Sequence, residues 1–178
     1  MKNFGCFLVF VLLLSSTSSF AGDVTLFGGV QREGKISLRS SATTVPSLIT
    51  FNPKNFGTLG LRLGVGKKLF GTESTLAYSP NFIESNTKAL ILNQNLVVQA
   101  PLPKVRPYLT AGFGTIITKG TGATDIGSKF AINYGGGLKV GIAGPLGVRL
   151  DARGYTVPSV QSQSLRVVEV SVGVVFGF

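Results

Sequence analysis

The residues best suited to chemistry are four charged side chains near the carboxyl terminus, Arg149, Asp151, Arg153 and Glu169. Alternate residues of a β-strand share one face, so the first three would form a row that Glu169 could meet from an adjacent strand. Two neighbouring carboxylates could act as acid and base in glycoside hydrolysis. Beside arginines, however, they are better interpreted as ion-pair partners in a polar interior, and an ion path through the row is the alternative.

The composition excludes most other chemistries. The chain has no His, and its single Cys, Cys6, lies in the stretch that we expect to be removed as an export signal. Zinc sites, thiol nucleophiles and Ser-His-Asp hydrolysis are therefore not expected. The glycine-lysine stretch at residues 64–68 lacks the spacing of a phosphate-binding loop. We therefore predict no cofactor, no metal and no enzymatic activity. The net charge of +10 favours acidic partners, which for an exported chain are phosphorylated lipids rather than nucleic acid.

The first residues have the pattern of an export signal. Lys2 precedes an apolar run, Phe7–Leu14, which is followed by small polar residues and a small-residue cleavage site at Ala21. The run is shorter than the roughly 20 residues that a membrane-spanning helix needs. We predict cleavage after Ala21, which divides the chain into a signal peptide at residues 1–21 and one β-barrel domain at residues 22–178.

Behind the signal, the chain divides into eight segments in which apolar residues alternate with other residues. Most segments are long enough for the roughly 9 to 11 residues that a tilted membrane strand needs, and an even strand number is typical of bacterial barrels. We therefore predict an all-β fold, an eight-stranded antiparallel up-and-down transmembrane β-barrel. The predicted segments are Val24–Leu38, Gly57–Lys67, Thr72–Ser79, Lys88–Ala100, Val105–Thr118, Phe130–Ile142, Gly147–Thr156 and Leu165–Phe178.

The connections between segments predict the orientation of the barrel. Longer connections follow segments one, three, five and seven, and they alternate strictly with short ones. Membrane barrels have long external loops and short periplasmic turns, so both termini would lie on the periplasmic side. The predicted loops are residues 39–56, 80–87, 119–129 and 157–164, and the predicted turns are 68–71, 101–104 and 143–146.

The alternation in the last segment predicts which of its side chains face lipid. Val168, Val170 and the following even positions to Phe178 are apolar, whereas Glu169 and Ser171 belong to the opposite face. An apolar face that continues to the carboxyl end fits a lipid-facing strand better than a soluble one, whose terminus usually frays in water. A slip of one residue would place the charged positions in lipid, so the register of the charged strands is well determined.

An eight-stranded barrel has an interior just wide enough for side chains to fill it, so we predict a plugged polar lumen. The many inward glycines would leave room for bulky neighbours. Gln94 does not fit this scheme, because the alternation places its side chain on the lipid face. Either the residue lies near a headgroup or a bulge shifts the strand. The predicted lumen residues are Arg62, Glu73, Arg106, Tyr108, Lys139, Arg149, Asp151, Arg153 and Glu169, with Asn95 and Gln99 beside them.

Basic residues also recur near the predicted outer rim. The phosphate groups of lipopolysaccharide would be attracted to such a rim, although a solvated rim has the same composition. The possible lipopolysaccharide contacts are Lys35, Arg39, Lys54, Lys119, Lys129 and Arg166.

Four stretches resemble a known family. Residues 104–114, Lys-Val-Arg-Pro-Tyr-Leu-Thr-Ala-Gly-Phe-Gly, are similar to the strand after a short periplasmic turn in small outer-membrane β-barrel proteins of the OmpA, OmpX and opacity-protein type. Residues 135–140 and 146–153 resemble the penultimate hairpin of the same group. The ending, residues 173–178, resembles their assembly signal.

The resemblance implies an outer-membrane location and contact with outer-membrane lipids and lipopolysaccharide. It also implies biogenesis through periplasmic chaperones and the barrel-assembly machinery, which would read the terminal aromatic residues Phe176 and Phe178. It implies no single activity, since structural, adhesive and narrow pore-forming members all belong to the group.

We expect a non-enzymatic outer-membrane protein with a structural or adhesion-type role in its external loops. The alternatives are a narrow channel for small ions or solutes, a lipid-modifying enzyme and a soluble periplasmic barrel that binds an apolar ligand. The soluble barrel would place Phe176 and Leu150 inside and Arg149 and Asp151 outside, so facing discriminates it. The sequence does not predict an oligomeric state.

Overall fold

The computed structural model describes residues 21–33, 55–82, 87–120, 127–160 and 163–177. Within these ranges no helix is long and apolar enough to cross a membrane. The described chain forms eight strands: β1 (Ala21–Glu33), β2 (Asn55–Gly66), β3 (Phe70–Ser79), β4 (Lys88–Gln99), β5 (Val105–Lys119), β6 (Ser128–Ala143), β7 (Leu146–Val160) and β8 (Gln163–Phe176).

The strands form one closed barrel in sequence order, which confirms the predicted fold class. Every neighbouring pair is antiparallel, and β1 closes the barrel against β8, where Val24 lies opposite Phe176. Closure leaves no unpaired strand edge, so the backbone hydrogen-bonding groups of the wall are paired without water.

Strand alternation sorts the side chains into an apolar outer face and a mixed interior. Leu150 and Phe176 point outward, with 48% and 57% of their surfaces exposed, whereas Arg149 and Asp151 are buried inside. The soluble-barrel alternative required the reverse facing and is therefore wrong. The outer face is that of a protein in lipid.

Gln94 lies on the outer face near the middle of β4. The β4 register continues past it on both sides without a bulge, opposite Ser74 on β3 and Phe113 on β5. The Ser74 hydroxyl donates to the Gln94 side-chain oxygen at 2.6 Å. The predicted bulge is therefore wrong, and a hydrogen-bonded neighbour accommodates the amide on the outer face.

Several predicted strand boundaries differ from the observed ones. β1 begins at Ala21 rather than Val24, and residues 34–38 of its predicted end lie outside the described residues. β7 continues to Val160 and β8 begins at Gln163, so only two residues separate them where a loop at 157–164 was expected. The strict alternation of long and short connections therefore fails at this hairpin, since the β4–β5 turn, residues 100–104, is longer.

The interior has two levels, and only the charged one was predicted. Toward the ends that carry the first three loops, apolar side chains pack together in the interior among small buried polar ones such as Ser79 and Thr118. The Phe56 and Phe82 rings meet edge to face with centroids 5.1 Å apart. We call this level the apolar layer; its members are Phe56, Ala77, Phe82, Ala89, Ile91, Ile116, Ala131, Tyr155, Val157 and Val167. The layer closes the external half of the lumen by hydrophobic packing.

Candidate functional site: the charged interior and its two ends

Six charged side chains meet in the middle of the barrel. Each is 4% exposed or less, and they come from β2, β3, β7 and β8. We call this group the charged cluster; its members are Arg62, Glu73, Arg149, Asp151, Arg153 and Glu169.

Arg62 joins β2 to the opposite wall. One guanidinium nitrogen lies 2.6 Å from the Asp151 carboxylate, and a second lies 2.8 Å from the Glu169 carboxylate. The Arg62 guanidinium also stacks over the Phe27 ring at 3.7 Å from its centroid. A planar guanidinium that binds two carboxylates and an aromatic face is held in one orientation.

Glu73 occupies the corresponding position opposite the other two arginines. Its two carboxylate oxygens lie 2.6 Å from Arg149 and 2.6 Å from Arg153. The same arginines reach Asp151 at 3.0 and 3.1 Å. Three guanidinium groups thus face three carboxylates, and the charges of the cluster balance.

Neutral residues complete the shell around the charged cluster. Arg149 donates to the Tyr108 hydroxyl at 2.8 Å, and that hydroxyl donates in turn to Asp151. Gln31 donates to Glu169 at 2.7 Å. A methyl group at Gly137 would lie 2.8 Å from a Tyr108 ring carbon, so this position needs a glycine for the ring to lie flat.

Sequence reasoning missed Gln31, Ser171 and Tyr155 as partners of the cluster. Ser171 accepts from Arg62 at 3.2 Å, and the Tyr155 hydroxyl lies 3.4 Å from Glu169. The available signal for Ser171 was the interior phase of β8, because Ser171 shares a face with Glu169. No lumen residue was predicted on β1, so Gln31 had no such signal.

The end with the short turns, which we call the lower mouth, carries a separate ion pair. Lys139 lies 2.5 Å from Asp23, and both line a cavity of about 480 Å³. Arg106 was predicted within the lumen network but is half-buried in the wall of this cavity, opposite Lys139 in the strand register. Arg106 lies two residues before Tyr108 on β5, nearer to the short turns than the charged cluster is. Gln99 lines the same cavity, whereas Asn95 is buried.

The opposite end, which we call the upper rim, carries basic residues. Lys88 and Lys119 lie directly opposite each other on β4 and β5, and both are exposed. Lys129 and Arg166 are half-buried, and Lys129 lies opposite the inward-facing Ile116. The remaining predicted rim contacts, Lys35, Arg39 and Lys54, and the assembly residue Phe178 lie outside the described residues.

The charged cluster is poorly suited to acid-base catalysis or metal binding. Its carboxylates each contact at least one guanidinium, which removes both the free base and the free acid that glycoside hydrolysis needs. Across the described ranges, no group of three or more His, Cys, Asp or Glu side chains is placed to hold a metal ion. The arrangement is that of a structural ion network.

Comparisons with known proteins agree with this architecture. A family model described as "Outer membrane protein beta-barrel domain" matches residues 7–178. No curated protein matches the chain. Among solved structures, Neisserial surface protein A is similar with a TM-score of 0.67 at 14% identity, over 90% of this chain and 100% of that one.

Two further structures share the fold. The N-terminal β-barrel domain of Pseudomonas aeruginosa OprF is similar with a TM-score of 0.57 at 12% identity, over 89% of this chain and 100% of that one. The outer membrane enzyme PagL is similar with a TM-score of 0.51 at 16% identity, over 86% of this chain and 98% of that one. Identities this low indicate the fold and leave activity undetermined.

Proposed function

The chain belongs to the outer membrane protein beta-barrel domain family of the bacterial outer membrane, and we propose that it is a closed, non-enzymatic barrel. Its role is structural or adhesive and lies in the outward surface and the external loops. The observation that carries this proposal is the charge-balanced cluster, in which three arginines and three carboxylates fill the lumen.

Two different barriers support a closed lumen. In the charged cluster, an ion that entered would have to displace side chains already paired at 2.6 to 3.1 Å. Above it, the side chains of the apolar layer pack together and would strip water from an ion that passed between them. An ion path through the arginine row is therefore disfavoured at two levels.

The pairing of the inward carboxylates supports a non-enzymatic role. Asp23, Glu73, Asp151 and Glu169 point inward and are paired, and the whole chain contains no His. A lipid-modifying enzyme would need reactive groups at lipid level on its outer face. Ser74, on that face, is hydrogen-bonded to Gln94.

Planar-bilayer recordings test the closed lumen. We expect the refolded protein to give no current steps above those of the bare membrane, while a general porin in the same bilayers conducts. Reproducible steps that scale with the amount of inserted protein would contradict the proposal and support the channel alternative.

A second candidate function, binding of lipid phosphates in the outer leaflet, follows from the upper rim. Like charges opposite each other on neighbouring strands are destabilising unless an anion lies between them. Lys88 and Lys119 form such a pair at the loop ends of β4 and β5, and within the described ranges neither is joined to a carboxylate. We propose that this pair binds a phosphate group of lipopolysaccharide, with Lys119 as one of the predicted rim contacts.

Binding to lipopolysaccharide tests this contact. We expect the double variant Lys88→Gln/Lys119→Gln to bind lipopolysaccharide about tenfold more weakly, because two charge-assisted hydrogen bonds are lost. Lys67→Gln/Lys68→Gln removes the same charge from the opposite end and serves as the matched control. Equal weakening in both variants would mean that net charge alone attracts the lipid.

A further inference from the structure

Three polar side chains adjoin one another on the outer face of β3 and β4. Thr72 and Ser74 take successive outward positions on β3, and Gln94 lies opposite Ser74 on β4. The Ser74 hydroxyl donates to the Gln94 side-chain oxygen at 2.6 Å. We call this group the polar patch; its members are Thr72, Ser74 and Gln94.

The polar patch lies within the apolar band of the outer face. Along β4, the outward residues Leu90 and Leu92 precede Gln94, and the outward residues Leu96 and Val98 follow it. Leu90 and Val98 are each four residues from Gln94, which is about 13 Å along the strand. Gln94 is therefore near the centre of an apolar stretch whose length matches the lipid-facing band of a membrane barrel.

The opposite wall of the barrel is apolar at its middle, as at Leu150 on β7 and at Val170 and Val172 on β8. These side chains need no neighbour other than lipid. Polar groups in hydrocarbon are costly, and in membrane proteins they pair with other polar groups. A neighbouring molecule with polar groups at the right depth would therefore bind the β3–β4 face in preference to the opposite wall.

A second copy of this chain has polar groups at that depth. Copies of one barrel share an orientation in the membrane, so their polar patches lie at the same level. A two-fold axis along the membrane normal brings each patch against its own copy, which is the isologous arrangement of most homodimers. Hydroxyl and amide groups both donate and accept hydrogen bonds, so the patch is complementary to itself, whereas acyl chains do neither.

We propose that the outer faces of β3 and β4 form the interface of a homodimer in the membrane, with Ser74 and Gln94 at its centre. The two residues keep their mutual hydrogen bond, and the other copy supplies polar neighbours in place of lipid. Leu96 and Phe113 flank the polar patch and are 69% and 54% exposed, so they would pack against the partner around it.

A single introduced Cys reports which face is paired, because residues 22–178 contain no Cys. Leu96→Cys places a thiol beside the polar patch, and Leu150→Cys places one on the opposite wall; both positions face outward. Each variant is refolded into phosphatidylcholine vesicles and oxidised, and non-reducing gels separate the monomer from the disulfide-linked dimer. We expect several-fold more dimer for Leu96→Cys. Equal yields would indicate random collision and overturn the proposal.

Gln94→Leu tests whether the polar patch carries the pairing. The barrel should still fold, because leucine suits a lipid-facing position better than an amide does. Protein labelled with donor or acceptor dyes at Leu102→Cys, in the β4–β5 turn, reports the dimer by energy transfer as lipid is added. Gln94→Leu should weaken the dimer by about tenfold, whereas Val172→Leu on the opposite wall should not. An unchanged dissociation constant for Gln94→Leu would overturn the proposal.

A different membrane protein is the other occupant to be distinguished. Outer membranes that contain the Leu96→Cys protein are treated with a thiol–amine crosslinker, and the mass of the product is measured. A product with the mass of two copies supports the proposal. A monomer in purified vesicles, together with a product of another mass in membranes, would overturn it. These results are independent of the planar-bilayer recordings, since a conducting barrel and a closed one present the same outer face.

Discussion

Asp151 is the residue that all three buried arginines share. Its carboxylate lies 2.6 Å from Arg62, 3.0 Å from Arg149 and 3.1 Å from Arg153, and it accepts from the Tyr108 hydroxyl as well. Loss of this one negative charge would leave three buried cations with two carboxylates. The cost of an uncompensated buried charge is larger than the gain from any single ion pair.

Asp151→Asn should therefore lower the free energy of unfolding by about 3–5 kcal/mol. Urea unfolding of the refolded protein in micelles measures it. Asp23→Asn is the matched control, since it removes the same charge from a side chain that is 18% exposed and is ion-paired with Lys139. A loss for Asp151→Asn no larger than that for Asp23→Asn would contradict the shared role.

The sequence predicts which side chains face the interior better than it predicts which of them form ion pairs with each other. Glu169 lies directly opposite Arg153 on the adjacent strand, as expected, but its ion pair is with Arg62 of β2. The carboxylate that binds Arg149 and Arg153 is Glu73, from a distant strand. Adjacent strands can be inferred from topology, whereas contacts across a lumen depend on barrel diameter and side-chain reach, which alternation does not encode.

At the level of strands, alternation predicts facing wherever a charged row fixes the phase. The row on β7 placed Leu150 outward and Arg149 inward, as the structure does. The apolar layer was missed because near the loop ends both faces are apolar, as in Leu90, Ile91 and Leu92 of β4. A period of two carries no signal there, since interior and lipid both accept apolar side chains.

A charge placed on the outer face tests the lipid-facing assignment by depth. Val170 lies near the middle of β8 and faces outward, whereas Leu146 begins β7 directly after the β6–β7 turn, residues 144–145. Val170→Arg should destabilise the folded barrel by about 2–4 kcal/mol and Leu146→Arg by about 0–1 kcal/mol. Equilibrium unfolding in phospholipid vesicles measures both, and equal costs at the two depths would contradict a membrane-spanning β8.

For the whole molecule, the two ends of the barrel differ in chemistry, and the charged cluster lies between them. The upper rim presents an opposed lysine pair on the outer face, and the lower mouth presents an opposed arginine-lysine pair on the inner face. The first can reach lipid and the second can reach only solution. Composition gave the excess of positive charge, but only the register shows that it is divided between two surfaces.

Assembly of the whole barrel depends on the seam between β8 and β1, where Phe176 lies opposite Val24 on one side and Leu146 on the other. Until the seam closes, the carboxyl-terminal strand is an exposed edge that another protein can pair with. The terminal aromatic residues are thus accessible during assembly, which favours their predicted role as a signal for the assembly machinery.

Phe178→Ala should slow assembly several-fold while changing the unfolding free energy by no more than about 1 kcal/mol. Proteoliposomes that contain the purified assembly machinery measure the rate, through the heat-modifiable folded band on gels. Phe130→Ala is the matched control, because Phe130 is an exposed outward aromatic residue on β6. If both variants assemble at the wild-type rate, or both slow equally, then Phe178 carries no specific signal and its aromatic ring acts only as lipid-facing surface.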